Sequence, residues 1–173
     1  MTTASASETV PAADHLLAAA RAVPDPEIPV ITLGDLGVVR DLRVAEDGSV
    51  DVDVTPTYTG CPATAVIAAD VAAAVREAGV AEVRVHTVLS PAWTTDWISE
   101  EGREKLREYG IAPPGATKAS ASTKVGLTLM APMTCPRCGS RNTREVSRFG
   151  STPCKSLWTC NSCAEPFDSF KAI

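Results

Sequence analysis

Apolar and polar residues along the first part of the chain repeat at intervals typical of helices. Positions 12–22, AADHLLAAARA, are rich in strong helix formers, and Pro24 prevents the helix from continuing. Positions 62–79 place apolar residues at helical spacing and end at Gly79, which suits a C-terminal cap. A third helix is predicted over about 96–109, closed by Gly110.

Three stretches between these helices have the two-residue period of β-strands. Positions 38–44 and 50–54 alternate around a turn that contains Asp47-Gly48, which predicts an antiparallel hairpin. In the second stretch the valines share one face and Asp51 and Asp53 share the other, so we expect one buried face and one solvated face. Positions 82–89 alternate in the same way and predict a third strand.

Changes in this pattern divide the chain into four parts. We predict a disordered tail over 1–11, a front domain over 12–111, a linker over 112–124 and a zinc-ribbon-like domain over 125–173. The linker contains Pro-Pro, Gly, Ala and Ser without a period. The predicted fold class is α+β: a small mixed or antiparallel sheet with helices, followed by a zinc-ribbon-like domain.

Composition narrows the functional classes. The 173 residues are 45% hydrophobic, enough for one domain with its own core and a smaller appendage. The net charge of -5 disfavours nucleic acid as a partner, because binding to phosphates requires a basic face. No apolar run approaches the roughly 20 residues of a membrane span, so we expect a soluble cytoplasmic protein with no membrane partner.

Four of the six cysteines form two Cys-x-x-Cys pairs, which predict a metal site. Two such turns present thiolates in the tetrahedral arrangement that zinc prefers, and four thiolates leave no open position, so the zinc is structural. Short strands at 144–149 and 157–159 are expected between the pairs, with Gly139 at positive φ. An iron-sulfur cluster, a redox dithiol and unligated core cysteines are the alternatives. The predicted ligands are Cys135, Cys138, Cys160 and Cys163.

The other two cysteines are Cys154 and Cys61. Cys154 lies outside both pairs, and we expect it to be a small buried residue rather than an alternative ligand. Cys61 stands between Gly60 and Pro62, where a helix N-cap is predicted, so the helix dipole would lower the pKa of its thiol. The alternative is a plain capping or core residue.

Two carboxylates precede the hairpin in a segment stiffened by three prolines, 23–29. Asp25 and Glu27 would be held in fixed positions there, either for metal or hydrogen-bond chemistry or as solvated turn residues. His15 and His86 are isolated and expected on the surface. The two tryptophans at 93 and 97 are expected to be core or interface anchors.

These residues resemble a known family. Positions 25–29, DPEIP, and 59–62, TGCP, resemble the SufT-like domain of cytosolic iron-sulfur assembly factors. This resemblance implies that the front domain, 12–111, is an iron-sulfur assembly domain. The whole chain, with 90–98 SPAWTTDWI and the ending from Cys135 through Asp168, resembles the PaaD family, accessory subunits of the bacterial phenylacetyl-CoA epoxidase system. The resemblance implies that Cys61 is a reactive or cluster-handling thiol near the acidic loop, acting on a transient iron-sulfur cluster or iron.

The resemblance further implies a role in aerobic phenylacetate breakdown, with the iron-sulfur reductase component of the epoxidase as partner. No nucleotide loop, di-iron signature or catalytic triad appears, so the chain is poorly equipped for oxygenation itself. The alternative is a purely structural, zinc-binding subunit that docks onto the oxygenase. A thiol enzyme is the weakest hypothesis, because Cys61 would need a histidine base. An open sheet edge is compatible with a homodimer.

Overall fold

The computed structural model describes residues 11–114 and 133–171. Within these ranges the chain forms three α-helices, a short 3-10 helix and seven strands. The helices are α1 (Ala13–Arg21), α2 (Thr64–Glu77) and α3 (Glu100–Tyr109), and the 3-10 helix is Thr95–Trp97. The strands are β1 (Val39–Val44), β2 (Val50–Val54), β3 (Val83–Thr87), β4 (Ile111–Ala112), β5 (Thr143–Ser147), β6 (Lys155–Cys160) and β7 (Pro166–Phe170). None of the helices among these residues has the length and apolar character needed to cross a membrane.

The front domain is built on the sheet β1-β2-β3. Strand β1 pairs antiparallel with β2 across the predicted turn, and β2 pairs parallel with β3. Helices α1 and α2 pack on it and on each other. Val50, Val52 and Val54 are fully buried, and Asp51 and Asp53 lie on the other face, as predicted. The α+β fold class is therefore confirmed.

The third predicted helix differs from its expected extent. The stretch 96–109 divides into the 3-10 helix and α3, because Ser99 starts a new helix: its side chain accepts a hydrogen bond from the Gly102 amide at 2.9 Å. Gly110 ends α3 at φ +95°, as predicted.

The ribbon sheet has the order β4-β7-β6-β5. Strand β4, directly after α3, pairs parallel with β7, so the front domain contributes an edge strand to the ribbon. Ala112, predicted to open the linker, lies in this strand and is buried. The rest of that linker, from 115, lies outside the described residues, as do positions 1–10 of the predicted tail.

The two parts of the chain share a core. Phe170 of β7 belongs to the main apolar cluster together with front-domain residues such as Leu36 and Val54. Its ring centroid lies 5.8 Å from that of Trp93, whose Nε1 donates a 2.8 Å hydrogen bond to the Leu36 carbonyl. Of the two roles expected for Trp93, core or interface anchor, the structure shows the core anchor, and its ring joins the ribbon to the front domain.

Candidate metal centre and thiol cavity

The four predicted metal ligands converge at one end of the ribbon. The sulfur atoms of Cys135, Cys138, Cys160 and Cys163 all lie within 4.8 Å of one another. Cys135 Sγ is 3.9 Å from Cys163 Sγ, and Cys138 Sγ is 3.6 Å from Cys160 Sγ. A zinc ion with sulfur ligands at about 2.3 Å requires sulfur separations of about 3.8 Å in a tetrahedron. The donor set and its spacing fit zinc.

Local hydrogen bonds set the shape of each cysteine pair. In the first pair, the Gly139 amide donates to the Cys135 carbonyl at 2.9 Å, and Gly139 adopts φ +72°, as predicted. After the second pair, Ala164 also adopts a positive backbone angle, φ +61°. The hydroxyls of Ser140 and Ser162 lie 2.8 Å apart and link the two turns.

Backbone amides stabilise the ionised form of the Cys160 thiol. Hydrogen bonds from the Cys163 amide, and then from the Ser162 amide, lower the pKa of Cys160 to about 6. Amides that favour a thiolate are typical of cysteine ligands, because the metal binds the deprotonated sulfur.

A second site is a small, largely enclosed cavity between the front domain and the ribbon. The sequence-predicted residues Asp25, Glu27 and Cys61 all line it. The cavity is narrow: the centre of a water-sized sphere can move within a volume of only about 10 Å³. The rest of its lining is mostly apolar: Ile28, Leu36, Val38, Ile67 and Phe170, with Thr57 and Cys154. The structure thus brings the acidic loop and the thiol together, although they are far apart in sequence.

The acidic loop is closed by backbone hydrogen bonds that fix Asp25. The Asp25 amide donates to the Ile31 carbonyl at 2.9 Å, and Pro24 and Thr32 form an isolated β-bridge. Asp25 Oδ1 accepts 2.9 Å hydrogen bonds from the amides of Glu27 and Ile28. Asp25 is only 9% exposed, so its carboxylate belongs to the interior rather than to a solvated turn.

The predicted lowering of the Cys61 pKa is wrong. Burial raises the pKa of the Cys61 thiol, and the charges of Glu27 and Asp25 act in the same direction, while a hydrogen bond from the Ala63 amide opposes them. The predicted N-cap position is also wrong. Helix α2 begins at Thr64 with Ala63 as its N-cap, so the helix dipole does not dominate at Cys61.

Asp25 gives a pH-dependent prediction. Burial raises its pKa, so the folded state favours the protonated form, and this contribution to stability is lost as pH rises through the raised pKa. Asp25→Asn keeps an oxygen acceptor without the charge. In urea unfolding of the zinc-loaded proteins from about pH 4 to pH 7, the wild type should lose stability relative to the variant as pH rises. A relative gain with rising pH would mean that the pKa is lowered instead.

The remaining candidate residues do not line this cavity. His86 is exposed on the solvated face of the sheet, and its Nε2 lies 2.6 Å from Asp51 Oδ1. Among the described residues no hydrogen bond joins a histidine to Cys61, and His15 is exposed on α1. Trp97 is half-buried, and the Arg40 guanidinium carbon lies 3.4 Å above the centroid of the Trp97 ring.

Cys154 is buried at 7% exposure, as predicted, but its place at this cavity was not predicted from the sequence. It lies 93 positions after Cys61, in the other part of the chain. Only the packing of the ribbon on the front domain brings it there.

Two family models match different parts of the chain. Residues 13–89 match the family model "Iron-sulfur cluster assembly protein", and residues 119–171 match "PaaD zinc beta ribbon domain". The chain is 48% identical over 151 residues to a protein of Escherichia coli (strain K12) named as a subunit of "Putative 1,2-phenylacetyl-CoA epoxidase", covering 87% of each chain. The chain belongs to the PaaD family.

Other relatives of this PaaD-family chain correspond to its front domain. A "Fe-S protein maturation auxiliary factor" of Porphyromonas gingivalis (strain ATCC BAA-308 / W83) is 40% identical over 87 residues, covering 50% of this chain and 82% of that protein. The crystal structure of a domain of unknown function, DUF59, from Bacillus anthracis has a TM-score of 0.50 at 29% identity, covering 54% of this chain and 90% of that one.

Proposed function

We propose that this chain is a non-catalytic, accessory component of the phenylacetyl-CoA epoxidase system that assists maturation of the iron-sulfur cluster in the reductase component. An accessory role in iron-sulfur assembly is supported by its relatives named as maturation factors. The epoxidase as the recipient system is supported by the name of the Escherichia coli relative.

One observation carries the proposal: Cys61, Asp25 and Glu27, all within the segment that matches the iron-sulfur assembly family, line one cavity. A thiol and carboxylates are donors for iron, and the apolar wall shields bound cargo from water. Because the pKa of Cys61 is raised, its thiol is protonated at neutral pH, and binding of iron would release that proton. Iron or a cluster is the cargo here, not a resident cofactor.

The ribbon has a separate task in this proposal. In it the four thiolates hold a structural zinc ion, and the ribbon exposes the apolar side chains of Val146, in β5, and of Phe149, which follows β5. Exposed apolar side chains can contribute to docking surfaces. The ribbon would dock the chain on a partner while Cys61 handles the cargo.

The experiment compares the reductase component matured in cells with wild-type chain, Cys61→Ser or His86→Ala. We expect Cys61→Ser to retain zinc and fold but to yield reductase with a several-fold lower cluster content, measured as iron and acid-labile sulfide. His86→Ala is the control, because His86 lies on the solvated face of the sheet. Normal cluster content with Cys61→Ser would contradict the proposal.

A second candidate is a structural, zinc-binding subunit that docks on the oxygenase without thiol chemistry. The exposure of Phe149 and Val146 on the ribbon favours it. In this case Cys61→Ser leaves the cluster content of the reductase unchanged, and Phe149→Ala reduces co-purification with the epoxidase components. Loss of cluster content without loss of association would exclude this candidate.

A further inference from the structure

A concave pocket lies beside the loop that precedes Cys61, and it is distinct from the thiol cavity. The centre of a water-sized sphere can move in it within a volume of about 140 Å³. For comparison, an apolar cavity of about 150 Å³ engineered into another protein binds benzene. A single aromatic ring therefore has the right size for this space. We call it the ring pocket, and its lining residues are Thr55, Pro56, Thr57, Tyr58, Thr59, Leu89, Ala92 and Trp93.

The core of the protein holds the base of the ring pocket in place. Trp93 is only 3% exposed, its Nε1 donates a 2.8 Å hydrogen bond to the Leu36 carbonyl, and its ring packs against Phe170. Tyr58 and Leu89, in contrast, are about half exposed and form the rim. The pocket therefore has an aromatic base that is formed before any ligand enters, which is typical of small-molecule sites.

Thr55 gives the ring pocket a buried polar group. The residue is 2% exposed, and its amide donates to the Val38 carbonyl at 2.8 Å. Its hydroxyl makes no hydrogen bond within the ranges 11–114 and 133–171. Every fully enclosed side-chain oxygen or nitrogen in these ranges has a partner, so the Thr55 hydroxyl is not sealed in and faces the pocket that Thr55 lines. Buried polar groups normally have partners, and here a ligand can supply one.

The charge of the lining restricts the ligand. Among the described residues no charged side chain lines the ring pocket, so an ionised ligand would leave water without gaining a counter-ion. Threonine hydroxyls both donate and accept hydrogen bonds, and they therefore suit an uncharged amide, carbonyl or hydroxyl group. Thr55 lies at the buried end of the pocket, whereas Tyr58 and Leu89 lie at its rim. A partner's phenylalanine side chain would present only its apolar ring to the Thr55 hydroxyl, so a small molecule with a polar end fits better.

We propose that the ring pocket binds an uncharged small molecule with one aromatic ring and one hydrogen-bonding group, which pairs with the Thr55 hydroxyl. This inference goes beyond the proposed function, because the ring pocket includes neither Cys61 nor a zinc ligand. The two sites are nevertheless neighbours. Thr57 lines both the ring pocket and the thiol cavity, and the Cys61 amide donates to the Tyr58 carbonyl at 3.0 Å. A bound ring therefore contacts the loop that leads to Cys61.

The test titrates the full, zinc-loaded chain with phenylacetamide and follows the backbone amides by ¹H–¹⁵N NMR. The resonances of Thr55, Thr57 and Trp93 should shift along one saturable curve, while those of the zinc ligands stay in place. Thr55→Val should weaken binding about fivefold, the effect of one neutral hydrogen bond. It should unfold at the wild-type urea midpoint, because no side-chain hydrogen bond within the described residues is lost. Thr87→Val, an exposed position outside the ring pocket, is the control and should bind as the wild type does.

A set of ligands tested on the wild type does not depend on how the variants fold. Acetamide, which lacks the ring, should not bind measurably, and phenylacetate, which is charged at neutral pH, should bind at least about tenfold more weakly than phenylacetamide. Absence of phenylacetamide binding would overturn the inference, as would equal affinity for phenylacetate, or wild-type affinity in Thr55→Val.

The comparison with N-acetyltyrosinamide separates a small molecule from a protein side chain. If this compound bound more tightly than phenylacetamide, the ring pocket would be assigned to a tyrosine side chain of a partner protein, and the inference would fail. Weaker binding of N-acetyltyrosinamide supports the small molecule. The cluster content of the reductase tests the proposed function separately.

Discussion

Replacing Cys160 by serine is expected to remove zinc from the ribbon and to unfold it. Cys160 ends β6, is buried, and has a thiol whose pKa the Cys163 and Ser162 amides lower to about 6. A serine hydroxyl does not ionise at neutral pH, so the site loses one of four anionic ligands. Structural zinc contributes about 10–16 kcal/mol in zinc-finger peptides, which is similar in size to the whole stability of a typical domain, about 5–15 kcal/mol.

The measurement combines metal analysis with tryptophan fluorescence, because Trp158 is buried beside the zinc ligands. Zinc should fall from about one ion per chain to almost none, and the emission of Trp158 should shift toward that of an exposed indole. Ser140→Ala is the matched control, since it changes the same cysteine-pair region but keeps all four thiolates. A folded, zinc-bound Cys160→Ser protein would show that three thiolates suffice.

Replacing Phe170 by alanine should destabilise the whole described fold by about 3–5 kcal/mol, the usual cost of removing a buried phenylalanine ring. The ring is 2% exposed, packs against Trp93 and lines the thiol cavity. Because Phe170 lies in the main core, the front domain should lose stability as well as the ribbon. Urea unfolding of the zinc-loaded protein, followed by far-ultraviolet circular dichroism, measures this loss.

Phe149→Ala provides the comparison, because it removes the same side chain from a site that is 73% exposed. The Lys171 ammonium lies 4.7 Å from the centre of that ring, and the loss should stay below about 1 kcal/mol. Similar losses from both variants would show that Phe170 does not contribute to a shared core.

The regular elements of the front domain could be predicted because local patterns determine them. The alternating valines of β2, the Asp-Gly turn and the helix formers of α1 each carry a signal within a few residues. The four-cysteine site was predictable for a similar reason: each Cys-x-x-Cys pair is local, and only the meeting of the two pairs depends on the fold.

What the sequence did not reveal depends on contacts between distant segments. Strand β4 has two residues, too short for a periodic signal, and exists because β7 offers it a hydrogen-bonding edge. The pKa of Cys61 follows from burial and from two carboxylates more than thirty positions earlier, which no local helix rule includes. The joining of Cys154 to this cavity likewise required the packing of the ribbon on the front domain.

The shared core also has a consequence for biosynthesis. A chain emerges from the ribosome in order, so the front domain is available to fold before Cys154 and Phe170 have been added. Until then, the Trp93 ring lacks its aromatic partner and the wall beside Cys61 is incomplete. The nascent protein would therefore expose Cys61, and it would gain a closed cavity only when the ribbon has been translated and has folded.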